Sequence, residues 1–216
     1  MHLYKSLQRT TQVACKKVNL LIFLLSLSCY PALANEWQLK KSGSGINIYT
    51  KSQQASEVKV LKAEFEADGT VKQLANLLAD VDKQKNWVYS TNSTRLIKRL
   101  NDNELIYYTE KAMPWPLSHR DVVMQMKWMV DTIVGTLTMN AHSIENSIPP
   151  PKGMVRVPVS KVVWKVSTIK PGTIRVEYFA EADPGGVIPA WVTNIFLTKG
   201  PYETFLNLRK QLVNYN

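Results

Sequence analysis

The sequence predicts an α+β domain in which a curved antiparallel sheet packs against a long C-terminal helix. Three observations lead to this prediction. Apolar and polar residues alternate through most of residues 93–182, a single short helix interrupts the first strands, and the last segment changes to a helical spacing. Strands and helices in this order favour a sheet with the final helix laid on one face.

The first 34 residues have the pattern of a secretory signal peptide. The segment is basic without any acidic residue, is almost wholly apolar over residues 18–27, and ends in Ala32-Leu33-Ala34, which supplies small residues for cleavage. The apolar stretch is short for a permanent span, so a membrane anchor is the weaker alternative. A lipid-modified Cys29 is another, although Ser26 stands where such signals usually have Leu. We expect cleavage after Ala34, a mature domain of residues 35–216 and a periplasmic or secreted location.

Cysteine content and charge narrow the function classes of the mature chain. Both cysteines, Cys15 and Cys29, lie in the leader, so the mature chain has no thiol for a disulfide, metal or redox site. It has 23 basic and 17 acidic residues, a formal charge of +6, with the two signs interleaved. This pattern is typical of a solvated surface, with weak attraction to an anionic membrane as the alternative, and nucleic acid is not an expected partner. The length suits one domain, which we expect to be a monomer.

The early elements are two strands and one helix. The pattern predicts strands over residues 46–50 and 58–67, and Asp68-Gly69 ends the second strand. Thr70 and Gln73 then form a capping-box pattern, which opens a helix through Leu74, Leu77, Leu78 and Val81.

Most of the chain that follows is predicted to be strand. The six segments are residues 93–100, 104–111, 121–130, 133–143, 155–168 and 173–182. Asn101-Asp102-Asn103 forms a hairpin turn, Pro149-Pro150-Pro151 forces an extended loop, and Pro171-Gly172 joins the last pair. The alternation gives the inward faces a set of large apolar side chains, namely Met124, Met126, Trp128, Met139, Trp164 and Tyr178.

The last segment, residues 188–215, is predicted to be an amphipathic helix. Its apolar residues recur at threes and fours, Pro189 suits the first turn, and Gly200-Pro201 is expected to kink the helix or divide it in two. The front half would lie over the interior of the sheet with Trp191, Ile195 and Phe196. The rear half would be held by Phe205, Leu208 and Leu212, so any movement is expected in the front half.

The inward-facing residues suit either a packed core or a cavity for a ligand. Methionine adapts to irregular apolar shapes, and the small residues Gly135, Ala141 and Ala180 leave space between larger ones. Each large side chain taken singly favours a packed core, whereas the group as a whole favours neither interpretation. An interaction module without a ligand therefore stays open as an alternative.

Three segments carry a resemblance to a known family. Met113 to Val123 contains prolines followed by Arg-Asp, Pro151 to Arg156 reads Pro-Lys-Gly-x-x-Arg, and Asp183 to Asn194 begins Asp-Pro-Gly-Gly and leads into the helix. In this order they resemble the START domains, the steroidogenic-acute-regulatory-related lipid-transfer family. The resemblance covers Trp37 to Tyr215.

The resemblance implies a helix-grip fold, in which the curved sheet grips the C-terminal helix around a tunnel for one lipid or sterol-like molecule and the helix acts as a lid. Family pockets often hold a charged pair. Glu110 matches the acidic member, but Met126 stands where the basic member is usual, which favours a more apolar ligand or a role for Arg120. The residues expected to bind the ligand are Glu110, Arg120, Met124, Met126, Trp128, Met139, Trp164, Tyr178, Trp191, Ile195 and Phe196.

Polar residues near the proposed tunnel have alternative roles. Adjacent strand residues point to opposite faces, so Arg120 is expected to make structural ion pairs or hydrogen bonds at the start of its strand. The leading interpretation is a non-catalytic lipid carrier or sensor, and the alternative is an enzyme that acts on an apolar substrate with Glu110 and His119 as acid and base. His119 and His142 lack a metal-binding spacing, and no metal or other cofactor is expected.

Overall fold

The computed structural model describes residues 36–53, 56–145 and 148–215. These residues form the strands β1 (Gln38–Gly43), β2 (Ile46–Gln53), β3 (Ser56–Asp68), β4 (Thr91–Asn101), β5 (Glu104–Lys111), β6 (Arg120–Asp131), β7 (Thr136–Ser143), β8 (Val155–Arg156), β9 (Val159–Lys170) and β10 (Thr173–Asp183). The helices are α1 (Val71–Ala79), α2 (Ala190–Asn194) and α3 (Gly200–Val213), with a 3₁₀ segment at Val81–Asn86 and a π-helical turn at Ile195–Lys199. The predicted signal peptide lies outside the described residues.

The strands form one antiparallel sheet in the order β1-β2-β3-β10-β9-β7-β6-β5-β4, with β8 paired in parallel to β6. Pairing of β3 with β10 joins the early and late parts of the chain, so the sheet is built from both ends of the domain. The predicted α+β class is confirmed, and each segment predicted from alternation contains a strand. The single strand predicted over residues 155–168 is wrong, because it is divided into β8, which pairs with β6, and β9, which pairs with β7 and β10. Pro158 lies between the two, and proline cannot donate to a sheet ladder. The unpredicted β1 is an edge strand with a bulge between Leu39 and Lys41, and its sequence has no period-two pattern.

One predicted strand begins later than its sequence suggested. Residues 133–135 were expected to open it, but they form a turn because the carboxylate of Asp131 accepts hydrogen bonds from the backbone N–H groups of Ile133 and Val134, both at 2.9 Å. β7 therefore begins at Thr136. The short polar side chain of Asp131 offers the backbone an alternative to the ladder.

The helix α1 confirms the capping-box prediction. The Thr70 hydroxyl accepts from the backbone N–H of Gln73 at 3.1 Å, and the Gln73 side chain accepts from the backbone N–H of Thr70 at 2.9 Å. The apolar face of α1 is buried against the sheet through Val71, Leu74, Ala75, Leu77 and Leu78. The Gln73 amide also donates to the backbone carbonyl of Tyr215, which ties α1 to the end of the chain.

The C-terminal helix begins after Pro189, as predicted, but it is not broken at Gly200-Pro201. Gly200 has helical backbone angles, and the irregularity lies just before it as the π-helical turn. Pro201 lacks an N–H group and its ring crowds the carbonyl one turn back, so a widened turn accommodates it without ending the helix. The ring of Tyr89 packs at Gly200, where an added Cβ would lie 3.1 Å from Tyr89 Cδ1. Among the described residues, no helix has the length and apolar character needed to cross a membrane.

Candidate functional site

The interior of the sheet is filled tightly at one end and loosely at the other. On β10, Ile174 and Val176 are fully buried, whereas Tyr178 and Ala180 farther along the same face keep accessible surface. β9 repeats this gradient, because Val166 is buried and Val162 is partly exposed. The loosely filled end is where β10 leads through residues 184–189 into α2. The front half of the C-terminal helix therefore begins beside the less filled part of the interior.

An aromatic cluster marks the boundary between the two parts. The ring of Phe205 on α3 lies 4.7 Å from Phe65, 5.9 Å from Trp164 and 5.1 Å from Tyr178, measured between ring centroids. Trp164 and Tyr178 meet edge to face at 4.9 Å. Pairs with this geometry contribute about 0.5–1.5 kcal/mol each beyond their buried area. The cluster holds α3 against β3, β9 and β10, and it forms the floor of the loosely filled region.

Lys111 is the charged side chain that β5 directs into this interior. The inward positions of β5 are Leu105, Tyr107 and Thr109, and Lys111 follows at the next position of the same face. Its Nζ donates to the Thr91 hydroxyl at 2.6 Å.

Two observations describe the surroundings of Lys111. Desolvation by burial lowers the pKa of Lys111 to about 8, yet the residue keeps some accessible surface. The register with Arg120 and the hydrogen bond to Thr91 place Lys111 on the inner face at the loosely filled end.

Two tyrosines face the same interior from strands that are not neighbours. Desolvation raises the pKa of Tyr107 to about 12, and it also raises the pKa of Tyr178, with a smaller contribution from Tyr107 itself. Tyr107 lies on β5 and Tyr178 on β10, which are separated in the sheet by β9, β7 and β6. Both side chains nevertheless pack in one hydrophobic core, because the sheet curves and its inner faces approach each other.

Arg120 shares the inner face with Lys111 but is engaged by backbone. The two residues are paired in the β5–β6 register. The Arg120 guanidinium donates to the carbonyls of Ser118, Pro184 and Gly185, the last two at 3.3 and 3.0 Å. Arg120 therefore joins the β5–β6 loop to the turn before α2, which is the structural role that strand alternation suggested.

The structure corrects the expectation for Glu110. Glu110 and Asp121 form a register pair on the outer face, opposite to Lys111 and Arg120. The Glu110 carboxylate accepts from the Tyr108 hydroxyl at 3.0 Å, and Asp121 forms a two-point ion pair with Arg156 at 2.8 and 3.0 Å. The resemblance matched Glu110 to the acidic position of the family pocket, but the β5 alternation through Tyr107 and Thr109 directs Lys111, and not Glu110, to the inner face.

The other expected ligand-binding residues divide between the two ends. Trp164 and Tyr178 belong to the aromatic floor, Met124 is buried on β6, and Ile195 and Phe196 are partly exposed on the π-helical turn. Trp191 is 52% exposed. At the tightly filled end, α1 packs on Met126, Trp128, Leu137 and Met139 and leaves no room for a water molecule.

An open cleft of about 690 Å³ lies at that same far end. It is bordered by α1, the β4–β5 hairpin and the start of the β6–β7 turn, and Trp128 and Val130 contribute apolar surface to it. It is separate from Lys111 and the aromatic floor.

The acid–base pair of the enzyme alternative is not assembled in the interior. Glu110 lies on the outer face, and Nδ1 of His119 accepts a hydrogen bond from the backbone N–H of Met113 at 3.0 Å. Residues 36–53, 56–145 and 148–215 contain no group of three or more His, Cys, Asp or Glu side chains arranged to hold a metal ion.

Comparison with known proteins identifies the family. The START domain model matches residues 32–216, nearly the whole chain. The chain belongs to the START domain family. Among relatives of this START domain, an uncharacterized protein of Pseudomonas aeruginosa is 32% identical over 178 residues, covering 82% of this chain and 87% of the relative. The phosphatidylcholine transfer protein of Mus musculus is 27% identical over 191 residues, covering 86% and 88%.

A solved structure supports the same assignment. The STAR-related lipid transfer protein fragment of Xanthomonas axonopodis superposes with a TM-score of 0.73 at 27% identity, covering 82% of this chain and 98% of that one. The helix-grip fold that the resemblance implied is therefore confirmed for this START domain.

Replacing Lys111 tests whether the START domain holds a desolvated ammonium in its interior. The folded pKa of about 8 lies below the ordinary 10.5, so between these values the unfolded chain binds more protons and the free energy of unfolding rises with pH. Lys111→Met should be more stable than wild type at pH 7, by on the order of 2 kcal/mol. Its free energy of unfolding should also no longer rise with pH in this range.

Urea unfolding from pH 7 to 9.5 measures the difference. Lys98→Met, at an exposed position on the neighbouring strand, is the matched control and should keep the wild-type slope. If the free energy of unfolding depends on pH in the same way for wild type and Lys111→Met, the Lys111 ammonium is solvated and the prediction is wrong.

Proposed function

We propose that this START domain binds one lipid molecule beneath α2 and the π-helical turn and carries it as an exported protein. The observation that carries the proposal is the incomplete filling of the interior at this end, where Val162, Tyr178 and Ala180 on the inner face keep accessible surface although their neighbours are buried. Membership of a family whose relatives include a phosphatidylcholine transfer protein and a STAR-related lipid transfer protein supports the same function. The signal-peptide pattern of residues 1–34 supports a periplasmic or secreted location.

Burial of hydrocarbon would supply most of the affinity. Each methylene contributes about 0.8 kcal/mol, so a sixteen-carbon chain contributes on the order of 10 kcal/mol before the cost of ordering the ligand. Apolar residues at this end of the interior include Val162 and Ala180. The aromatic floor would contact the end of the lipid's hydrocarbon chain.

Entry and release would require the front of the C-terminal helix to move. In the front of the helix, Val192 of α2 is buried and the π-helical turn has no buried residue, whereas α3 buries Phe205, Leu208 and Leu212. Because fewer buried contacts hold the front of the helix, it opens at lower cost than α3. The opening would lie at the end of the sheet that holds Lys111 and Arg120, because Arg120 binds the turn before α2.

Exposed apolar side chains at the same end suit transient contact with a membrane. Trp115 on the β5–β6 loop is 90% exposed, and Val187 before α2 is 91% exposed. The start of β6 and the end of β10 lie at one end of the sheet, and the Arg120 hydrogen bonds join their loops there. Tryptophan suits the membrane–water interface because its ring is amphipathic. We propose that this end docks on the membrane and places the lid against it.

Lipid binding predicts a copurifying ligand. The full chain is expressed, the exported protein is purified, and its native mass is compared with its mass after solvent extraction. We expect one lipid-sized mass per protein molecule, and we expect the extracted protein to take up lipid again from vesicles that contain both phosphatidylcholine and phosphatidic acid. A protein that carries no lipid and takes none from vesicles would contradict the proposal and would favour the interaction-module alternative.

Membrane docking predicts an effect of Trp115→Ala on vesicle binding. Loss of one large interfacial side chain should weaken cosedimentation with anionic vesicles by roughly tenfold. Ile133→Ala is the control, because Ile133 is 98% exposed but lies at the opposite end of the sheet. Equal effects of the two substitutions, or none from Trp115→Ala, would exclude this end as the docking surface.

A further inference from the structure

The position of Lys111 carries information about the chemistry of the ligand. An ammonium in an apolar interior is unfavourable unless something compensates its charge. Its neighbours on the inner face are Arg120 across the β5–β6 pair, Thr91 on β4, and Tyr107 two pairs back along β5, at about 13 Å given the rise of a strand. None of these neighbours is acidic.

The carboxylates that are close in sequence are used elsewhere. Glu110 and Asp121 lie on the outer face, where they bind Tyr108 and Arg156. Within the described residues, the other ion pairs are Lys62–Glu64, Asp80–Lys83 and Glu66–Arg175, so neither Lys111 nor Arg120 has a carboxylate partner there.

The hydrogen-bonding capacity of the two cations differs. Arg120 donates through Nε, Nη1 and Nη2 to three backbone carbonyls. Lys111 has three N–H donors, and one of them reaches the Thr91 hydroxyl. Lys111 therefore has donors left for a ligand, at a place where the nearest charged group of its own sheet face is another cation.

We propose that Lys111 binds the acidic head group of the lipid, a carboxylate or a phosphate monoester. This inference rests on the proposed lipid binding and names the class of lipid. An anionic oxygen group would accept a charge-assisted hydrogen bond from Nζ and compensate both cations of the inner face. A zwitterionic head group would bring its own ammonium toward Lys111 and Arg120, which repel it. Apolar walls at the same end favour an acid attached to a hydrocarbon chain over a free inorganic anion.

The preference of the site for acidic lipids should depend on pH. Arg120, which is paired with Lys111, stays charged, and the phenols of Tyr107 and Tyr178 on the inner faces of β5 and β10 stay neutral because burial raises the pKa of each. Lys111 is then the group that titrates near neutrality, and it is mostly protonated at pH 7. A bound acid stabilises the protonated form, so the preference for acidic lipids should weaken as the pH rises well above 8.

Uptake of pyrene-labelled lipids from phosphatidylcholine vesicles tests the inference. The probes are a labelled phosphatidic acid, a labelled phosphatidylcholine, a labelled fatty acid and its methyl ester. Wild type should prefer each acid over its neutral or zwitterionic partner by roughly tenfold or more at pH 7, the size of one charge-assisted hydrogen bond. Lys111→Met should reduce this ratio to near one, and Lys98→Met should keep it. Circular dichroism and thermal melting establish that both variants are folded.

The outcomes separate this inference from the proposed function. Uptake of all four probes without an acid preference, or a preference that survives in Lys111→Met, would overturn the role of Lys111 and leave lipid binding intact. No uptake of any probe would overturn both. Preference for one acid alone identifies which head group the site takes. Displacement of the labelled acids by millimolar inorganic phosphate would contradict the inference, since it would mean that the site binds a free anion.

Discussion

Arg120 and Asp121 hold together three segments that are far apart in the sequence. The side chains of these neighbours point to opposite faces of β6. On the inner side, Arg120 binds the carbonyls of Pro184 and Gly185 in the turn before α2. On the outer side, Asp121 is fully buried and binds Arg156 at two points. The three sequence motifs that resemble START domains are thus three parts of one hydrogen-bonded network.

This network positions the start of the C-terminal helix. The turn before α2 uses Gly185 at a φ of +71°, and an added Cβ there would lie 3.2 Å from Val155 Cγ1 and 3.3 Å from the carbonyl oxygen of Arg156. The turn therefore packs closely on β8, which is itself fixed to β6. Phe205 fixes the rear of the same helix to the sheet through Phe65, Trp164 and Tyr178. Between these two anchors lies the π-helical turn, the part of the helix with the least burial.

Period-two and period-3.6 patterns were sufficient for most of the fold. Alternation identified β6 and β10 nearly to the residue, and Thr70 with Gln73 identified the start of α1, whereas β9 begins four residues later than predicted. β1 was not predicted because an edge strand with a bulge needs no alternation. The π-helical turn was not predicted because Gly-Pro in sequence does not distinguish a break in the helix from a widened turn.

The site was harder to predict than the fold. Alternation along β5 predicts that Lys111 and Glu110 point to opposite faces of the sheet. It does not show which of the two faces is enclosed, and the register with β6 in the structure answers that question. Whether Met126 and Met139 line a cavity or fill a core depends on how α1 packs, which no local pattern encodes. They pack at the filled end, and the inner face at the other end includes Lys111, which none of the three motifs contains.

The central claim is that a lipid lies beneath the front of the C-terminal helix, between Lys111 and the aromatic floor. The most direct test is photocrosslinking with a fatty acid that carries a diazirine at the end of its chain, followed by mapping of the modified residues by mass spectrometry. The account predicts modification of Tyr178, Trp164 or the π-helical turn. Modification centred on Trp128 and Leu96 in the open cleft at the far end, or confined to exposed Trp115, would contradict it.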